Sequence, residues 1–95
     1  MSKTDPVKLR MLDFSACKYY GEIYQAIKAG LELPEWCGEN LDALWDSLTG
    51  IMYVPAEITI KKCKRKNLLK TVEEIIDVFK RAEEAYHEIT VKVKE

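Results

Sequence analysis

Ninety-five residues, 47% hydrophobic and 33% charged, suffice for one domain with a modest core. No stretch approaches the roughly 18 consecutive apolar residues of a membrane span, and the opening MSKTDPVKLR lacks the apolar segment of a secretory signal. A cytoplasmic protein with no membrane partner is therefore expected, and the net charge of −1 gives no general attraction to nucleic acid.

Residues 1–95 read as a single domain whose first stretch, 1–8, is a flexible N-terminal extension. Leu9-Arg10-Met11-Leu12-Asp13-Phe14 reads as a short strand. Tyr20, Ile23, Tyr24, Ile27 and Leu31 then recur at helical spacing, with Gly30 as the helix stop. Gly38-Glu39-Asn40 leads into a second helix of about nine residues, in which Asn40 can accept from the first free backbone amides. Leu41, Leu44 and Leu48 mark its buried stripe, and Thr49-Gly50 ends it. Glu57-Ile58-Thr59-Ile60-Lys61 alternates as a strand with one covered face does. The basic run Lys61 to Lys66 follows, then a long helix opening near Thr71, which has capping-box spacing to Glu74. Val72, Ile75, Ile76, Phe79 and Ala82 keep the helical period, and Ile89-Thr90-Val91-Lys92-Val93 closes the chain as an alternating strand. Strands separated by helices imply parallel pairing with right-handed crossovers. Alternation, rather than continuous apolar runs, implies one covered face. The expectation is an α/β domain, a three-stranded parallel sheet with helices packed mainly on one face.

Charge is unevenly distributed. Residues 1–28 hold five bases and three acids, residues 29–60 six acids and no base, and residues 61–95 ten bases and seven acids. In the middle third, Glu35, Glu39, Asp42 and Asp46 sit among Trp36 and Trp45. Asp42 falls in the first turn of the second helix, where the helix dipole favours it, and Asp46 toward the other end, where it is disfavoured. Four residues apart, the two share a face and repel, each effect costing about 0.2–1 kcal/mol on an exposed helix. Trp45 borders both acids on the helical wheel, and aromatic anchors ringed by charge are common at protein interfaces. From these residues alone, a solvated acidic face and an interface both remain open.

Enzyme chemistry fits poorly. A two-carboxylate hydrolase needs its acids across a cleft, whereas Asp42 and Asp46 project from one short helix. Glu39, Asp42 and Asp46 lack the loop scaffold of a calcium site. Cys37 as a nucleophile would need His87, the only histidine, in or near the last strand. Cys17, Cys37 and Cys63 form no CxxC pair, their odd number suits no disulfide framework, and they read as reduced thiols. No metal and no cofactor is expected. The run 61–66 has no interleaved aromatic residue to stack on bases, so it reads as a solvated connector.

LPEWCGENLDALWDSLTG, residues 33–50, closely resembles the signature segment of the barstar family. That pattern is Leu-Pro-Glu, two aromatic residues, Gly-Glu-Asn-Leu-Asp-Ala-Leu-Trp-Asp, then Leu-Thr-Gly. Weaker similarity runs from about Arg10 to the end and includes the FKRAEE helix and the Ile-Thr strand after it. Members of the family are intracellular inhibitors of secreted bacterial ribonucleases. The resemblance implies a barstar-like fold and a non-enzymatic, cofactor-free antitoxin or immunity protein, monomeric when free. It would bind a secreted microbial ribonuclease one to one, with no direct nucleic-acid partner. The resemblance places partner binding on Trp36, Cys37, Gly38, Glu39, Asn40, Leu41, Asp42, Trp45 and Asp46, with Asp46 in the place of an RNA phosphate. Where the type member has two tyrosines this chain has Trp36 and Cys37, and the family acid on the long helix aligns with Arg81, which reverses the charge. A nuclease with a different rim is therefore the expected partner. The alternative is a barstar-fold binding module or antitoxin whose partner is not a ribonuclease.

Overall fold

A period-two alternation of apolar and polar residues demands a sheet with one covered face, and the chain builds one. The computed structural model describes residues 7–51 and 55–94. Its strands are β1 (Lys8–Asp13), β2 (Ala56–Lys61) and β3 (Ile89–Lys94), all parallel and in the order β1-β2-β3. Between them run α1 (Tyr20–Leu31), α2 (Leu41–Asp46) and α3 (Leu69–Ala85). The register sets Arg10, Ile58 and Val91 in one row, and Leu12, Ile60 and Val93 in another. These rows face the helices. Leu12, Ile58 and Ile60 are fully buried there with Ile23, Ile75 and Phe79, so the expected architecture is the one observed. Among the described residues no helix is long and apolar enough to cross a membrane.

Several local expectations are revised. Residues 1–6 of the expected N-terminal extension lie outside the described residues, while Lys8 already belongs to β1 and pairs with Ala56. β1 ends at Asp13 rather than Phe14, although the Phe14 N–H still donates to the Lys61 carbonyl at 2.9 Å, and the Asp13 carboxylate accepts from the backbone N–H (2.9 Å) and hydroxyl (2.5 Å) of Ser15 in the turn that follows. Those hydrogen bonds from Ser15 hold the Asp13 carboxyl below its ordinary pKa. Gly30 does not stop α1. The left-handed residue at the helix end is Glu32 (φ 56°), and the Leu33 N–H closes the turn on the Lys28 carbonyl at 2.9 Å. Gly30 lies two residues earlier, where a Cβ would fall on Leu12 Cδ2 and 2.9 Å from the Met11 carbonyl oxygen. The missing side chain is what lets α1 lie directly on β1.

α3 opens at Leu69, before the expected start, after a 3-10 turn at Lys66–Leu68, so Thr71 is not its cap and the Thr71–Glu74 capping box is absent. A carboxylate reaching back over a helix start is found on α1 instead. There Glu22 Oε1 accepts from the backbone N–H groups of Lys18 (2.6 Å) and Tyr19 (3.2 Å). The open edge of β3 is partly satisfied from α3, because Glu83 Oε2 accepts from the Val91 N–H at 2.8 Å.

Tyr24, 3% exposed, packs its ring 5.2 Å from that of Tyr20. Burial, reinforced by Tyr20, pushes its phenol well above the ordinary value of 10.0. The sign follows from proton counting. Above about pH 10 an unfolded tyrosine has lost its proton while Tyr24 keeps it, so the native state binds more protons and stability falls as pH rises. The contribution is complete below about pH 10 and is lost through the raised folded-state pKa. Urea unfolding of the parent and Tyr24→Phe at about pH 8 and about pH 11 should show a shallower alkaline loss in the variant.

Candidate protein-binding face

The acidic stretch folds as a braced loop followed by a short helix. Asn40, with extended backbone, accepts the Ala43 N–H on its side-chain oxygen at 2.8 Å and opens α2 as expected. Gly38 is hemmed in by Ala43 Cβ and the Asn40 amide, 3.1 and 3.3 Å from where a Cβ would stand. α2 spans six residues, but helical winding continues as a wider turn through Ser47–Ile51. The Ser47 hydroxyl donates to the Ala43 carbonyl (2.9 Å) and that of Thr49 to the Trp45 carbonyl (2.8 Å). Asp46 is therefore nearer the middle of the wound segment than its end. The unfavourable dipole effect expected there fades, while repulsion from Asp42 remains.

Leu44 and Leu48 are buried, and Leu41 and Trp45 pack half-buried against the core. Asp42 and Asp46 are exposed on the outer side. Among the described residues neither carboxylate takes part in an ion pair. Trp36 stands 76% exposed on the preceding loop. Its neighbour Cys37 turns inward, 7% exposed, with its sulfur 3.7 Å from the Ser47 hydroxyl, so it anchors the loop rather than offering surface. All three cysteines are buried and free.

Glu39 is placed differently from the two aspartates. Lys28, remote in sequence, rises from α1 nearly buried and pairs with the Glu39 carboxylate at 3.2 Å. Gln25 donates to the same oxygen at 3.2 Å, Tyr20 OH donates to the Glu39 carbonyl at 3.2 Å, and Lys28 Nζ also reaches the Glu35 carbonyl at 3.4 Å. Glu39 thus ties the loop to α1. Lys28→Met should cost about 1 kcal/mol, held to that figure because Glu39 keeps substantial solvent contact. A urea melt should show it as a lower midpoint with unchanged slope.

Between α2 and α3 lies a groove of about 1030 Å³. It brings together Leu41, Asp42, Trp45, Asp46 and Arg81 of the residues expected at the site, whereas Trp36, Cys37, Gly38, Glu39 and Asn40 lie outside its lining. It adds side chains of α3 that were not expected at the site: Lys70, Glu73, Glu74, Asp77 and Val78. The signal was present. Positions 70, 73, 74, 77 and 81 recur at helical period, opposite the buried Ile75, Phe79 and Ala82. Arg81 is not an isolated positive charge, since its guanidinium lies 2.9 Å from the Asp77 carboxylate, four residues earlier on the same exposed face. Among the described residues no group of three or more His, Cys, Asp or Glu side chains is disposed to hold a metal ion.

The fold is thus an α/β scaffold, a one-sided parallel sheet that carries a braced loop, a groove against the last helix and an acidic helix whose two aspartates make no ion pair among the described residues. Residues 7–94 match the family described as Barstar (barnase inhibitor), and the chain belongs to that family. It is also similar to a Bacillus subtilis (strain 168) protein named "Putative ribonuclease inhibitor YrdF", with 33% identity over 64 residues covering 65% of this chain and 70% of that protein.

Proposed function

We propose that the chain is a protein inhibitor of a microbial ribonuclease. It acts inside the producing cell and binds one to one through the 35–46 loop and helix, with the α3 side of the groove as rim. The observation that carries this reading is the pair Asp42 and Asp46, two exposed carboxylates on one helix face without an ion-pair partner among the described residues. The family description and the name of the relative support it.

A ribonuclease cleft is lined by cations that hold RNA phosphates. Asp46 would take the place of one such phosphate, with Asp42 beside it and Trp36 as a flat anchor. A negative face costs some stability in the free chain and is compensated when it meets a positive cleft. It also speeds association in a salt-dependent way. Nothing in this requires catalysis or a cofactor.

The test is titration of the purified chain into secreted microbial ribonucleases with a fluorogenic RNA substrate, alongside co-expression with the toxic enzyme, using Asp46→Ala as control. Stoichiometric inhibition lost in the variant is the expected result. If no ribonuclease of this class is bound or neutralised, the proposal fails, and a non-nuclease held by the same acidic face would take its place.

A further inference from the structure

The second concentration of charge is positive and lies where the parallel strands end. Lys61 closes β2 in register with Lys94 of β3, and the Lys62 N–H donates to the Lys94 carbonyl at 2.9 Å. The connector then adds Lys64, Arg65 and Lys66 before α3. Lys18 joins from the loop after β1, because Asn67 Nδ2 donates to its carbonyl at 3.3 Å and draws the two connections together. Among the described residues none of these cations forms an ion pair, and all but Lys62 are exposed. Among the described residues at this end, Asp13 stands in register with Lys61 and accepts from Ser15, and Glu22 accepts from the backbone of Lys18 and Tyr19, so two carboxylates offset part of the charge of seven cations.

Two further observations concern what such a surface would hold. The 17-residue α3 starts here with neither a side-chain cap nor an acid in its first turn, so the positive end of its dipole adds to the same field. Tyr19, next to Lys18, is 68% exposed, and a small concavity of about 180 Å³ lies between Lys62, Lys64 and Leu69. The run 61–66 has no aromatic residue of its own, but the hydrogen bond from Asn67 to Lys18 brings the backbone beside Tyr19 to the connector.

We propose that this end of the sheet binds single-stranded nucleic acid, with phosphates on the connector cations and a base stacked on Tyr19. Such binding departs from the expectation of no direct nucleic-acid partner. The surface shares no residue with the acidic groove, so its test is independent of ribonuclease inhibition. A duplex keeps its bases stacked and would use the charge alone, whereas a single strand can also lay a base on the ring.

Fluorescence anisotropy of the full chain with labelled oligouridylate and oligothymidylate of about 12 nucleotides reads this directly. Saturable binding is expected, weakening about 50-fold between about 50 and 200 mM salt if about four phosphates are neutralised. Lys64→Glu combined with Arg65→Glu should weaken binding by about tenfold or more, and Tyr19→Leu by about tenfold. Asp46→Ala should bind as the parent does. The proposal is overturned by absence of saturable binding at low salt, or by charge-reversed or Tyr19→Leu chains that bind as the parent does. Equal affinity for duplex or for anionic phosphatidylserine vesicles would overturn it as well.

Discussion

Asp46→Ala is expected to weaken inhibition of the cognate ribonuclease by about 2–5 kcal/mol, roughly 30- to 5,000-fold in Kd, a range to which complexes of this family themselves contribute. The size follows from what is left behind. Cations of the cleft, desolvated by the rest of the interface, would lose the carboxylate that compensates them. The free chain should barely register the change. Asp46 is exposed, makes no ion pair among the described residues, and faces Asp42 one turn away. Relief of that repulsion is worth about 0.2–0.5 kcal/mol in favour of the variant. Inhibition titrations and thermal melts on the same samples decide the matter. A variant that loses inhibition only because it has lost its fold would remove Asp46 from the interface. The association rate of the variant should also depend less steeply on ionic strength.

Gly30→Leu should destabilise the fold by about 3 kcal/mol or more, equivalent to about 12 °C or more in Tm for a domain of this size. Even a Cβ at this position meets Leu12 Cδ2 and stands 2.9 Å from the Met11 carbonyl oxygen. The carbonyl belongs to a paired strand and cannot rotate away, and Leu12 is fully buried. α1 would have to lift from β1. Because Lys28 sits on the same last turns of α1, the loop it braces through Glu39 should loosen together with the core. Denaturant unfolding checks the first effect and inhibition the second. Parental stability in Gly30→Leu would show that close approach of helix and strand is dispensable.

The parallel sheet and its one-sided cover were legible because alternation is a local signal, carried within each strand by Ile58-Thr59-Ile60 or Ile89-Thr90-Val91. The Asn40 cap was legible for the same reason. Gly30 was misread because a glycine near a helix end suits a stop signal and a close approach equally well, and only the position of β1 separates them. The phase of β1 was equally hidden. Leu9 and Met11 point outward, 76% and 57% exposed, while Arg10 points inward at 8% and reaches Glu32 at 3.0 Å. Hydrophobicity alone favours the opposite phase. In the candidate face, Asp42 and Asp46 could be found from charge and spacing within one helix. The pairing of Glu39 with Lys28, the inward turn of Cys37 and the α3 wall of the groove depend on contacts between segments remote in sequence.

The three fastenings of Glu39, to Lys28, Gln25 and Tyr20, bear on kinetics as well as on stability. Ordering a free loop on contact costs about 0.5–1.5 kcal/mol for each immobilised side chain, and here folding has already met that cost. A partner seated on this loop should find it in its final shape. Stopped-flow association should therefore follow a single exponential whose rate rises linearly with partner concentration, with no plateau from a slow rearrangement of the inhibitor.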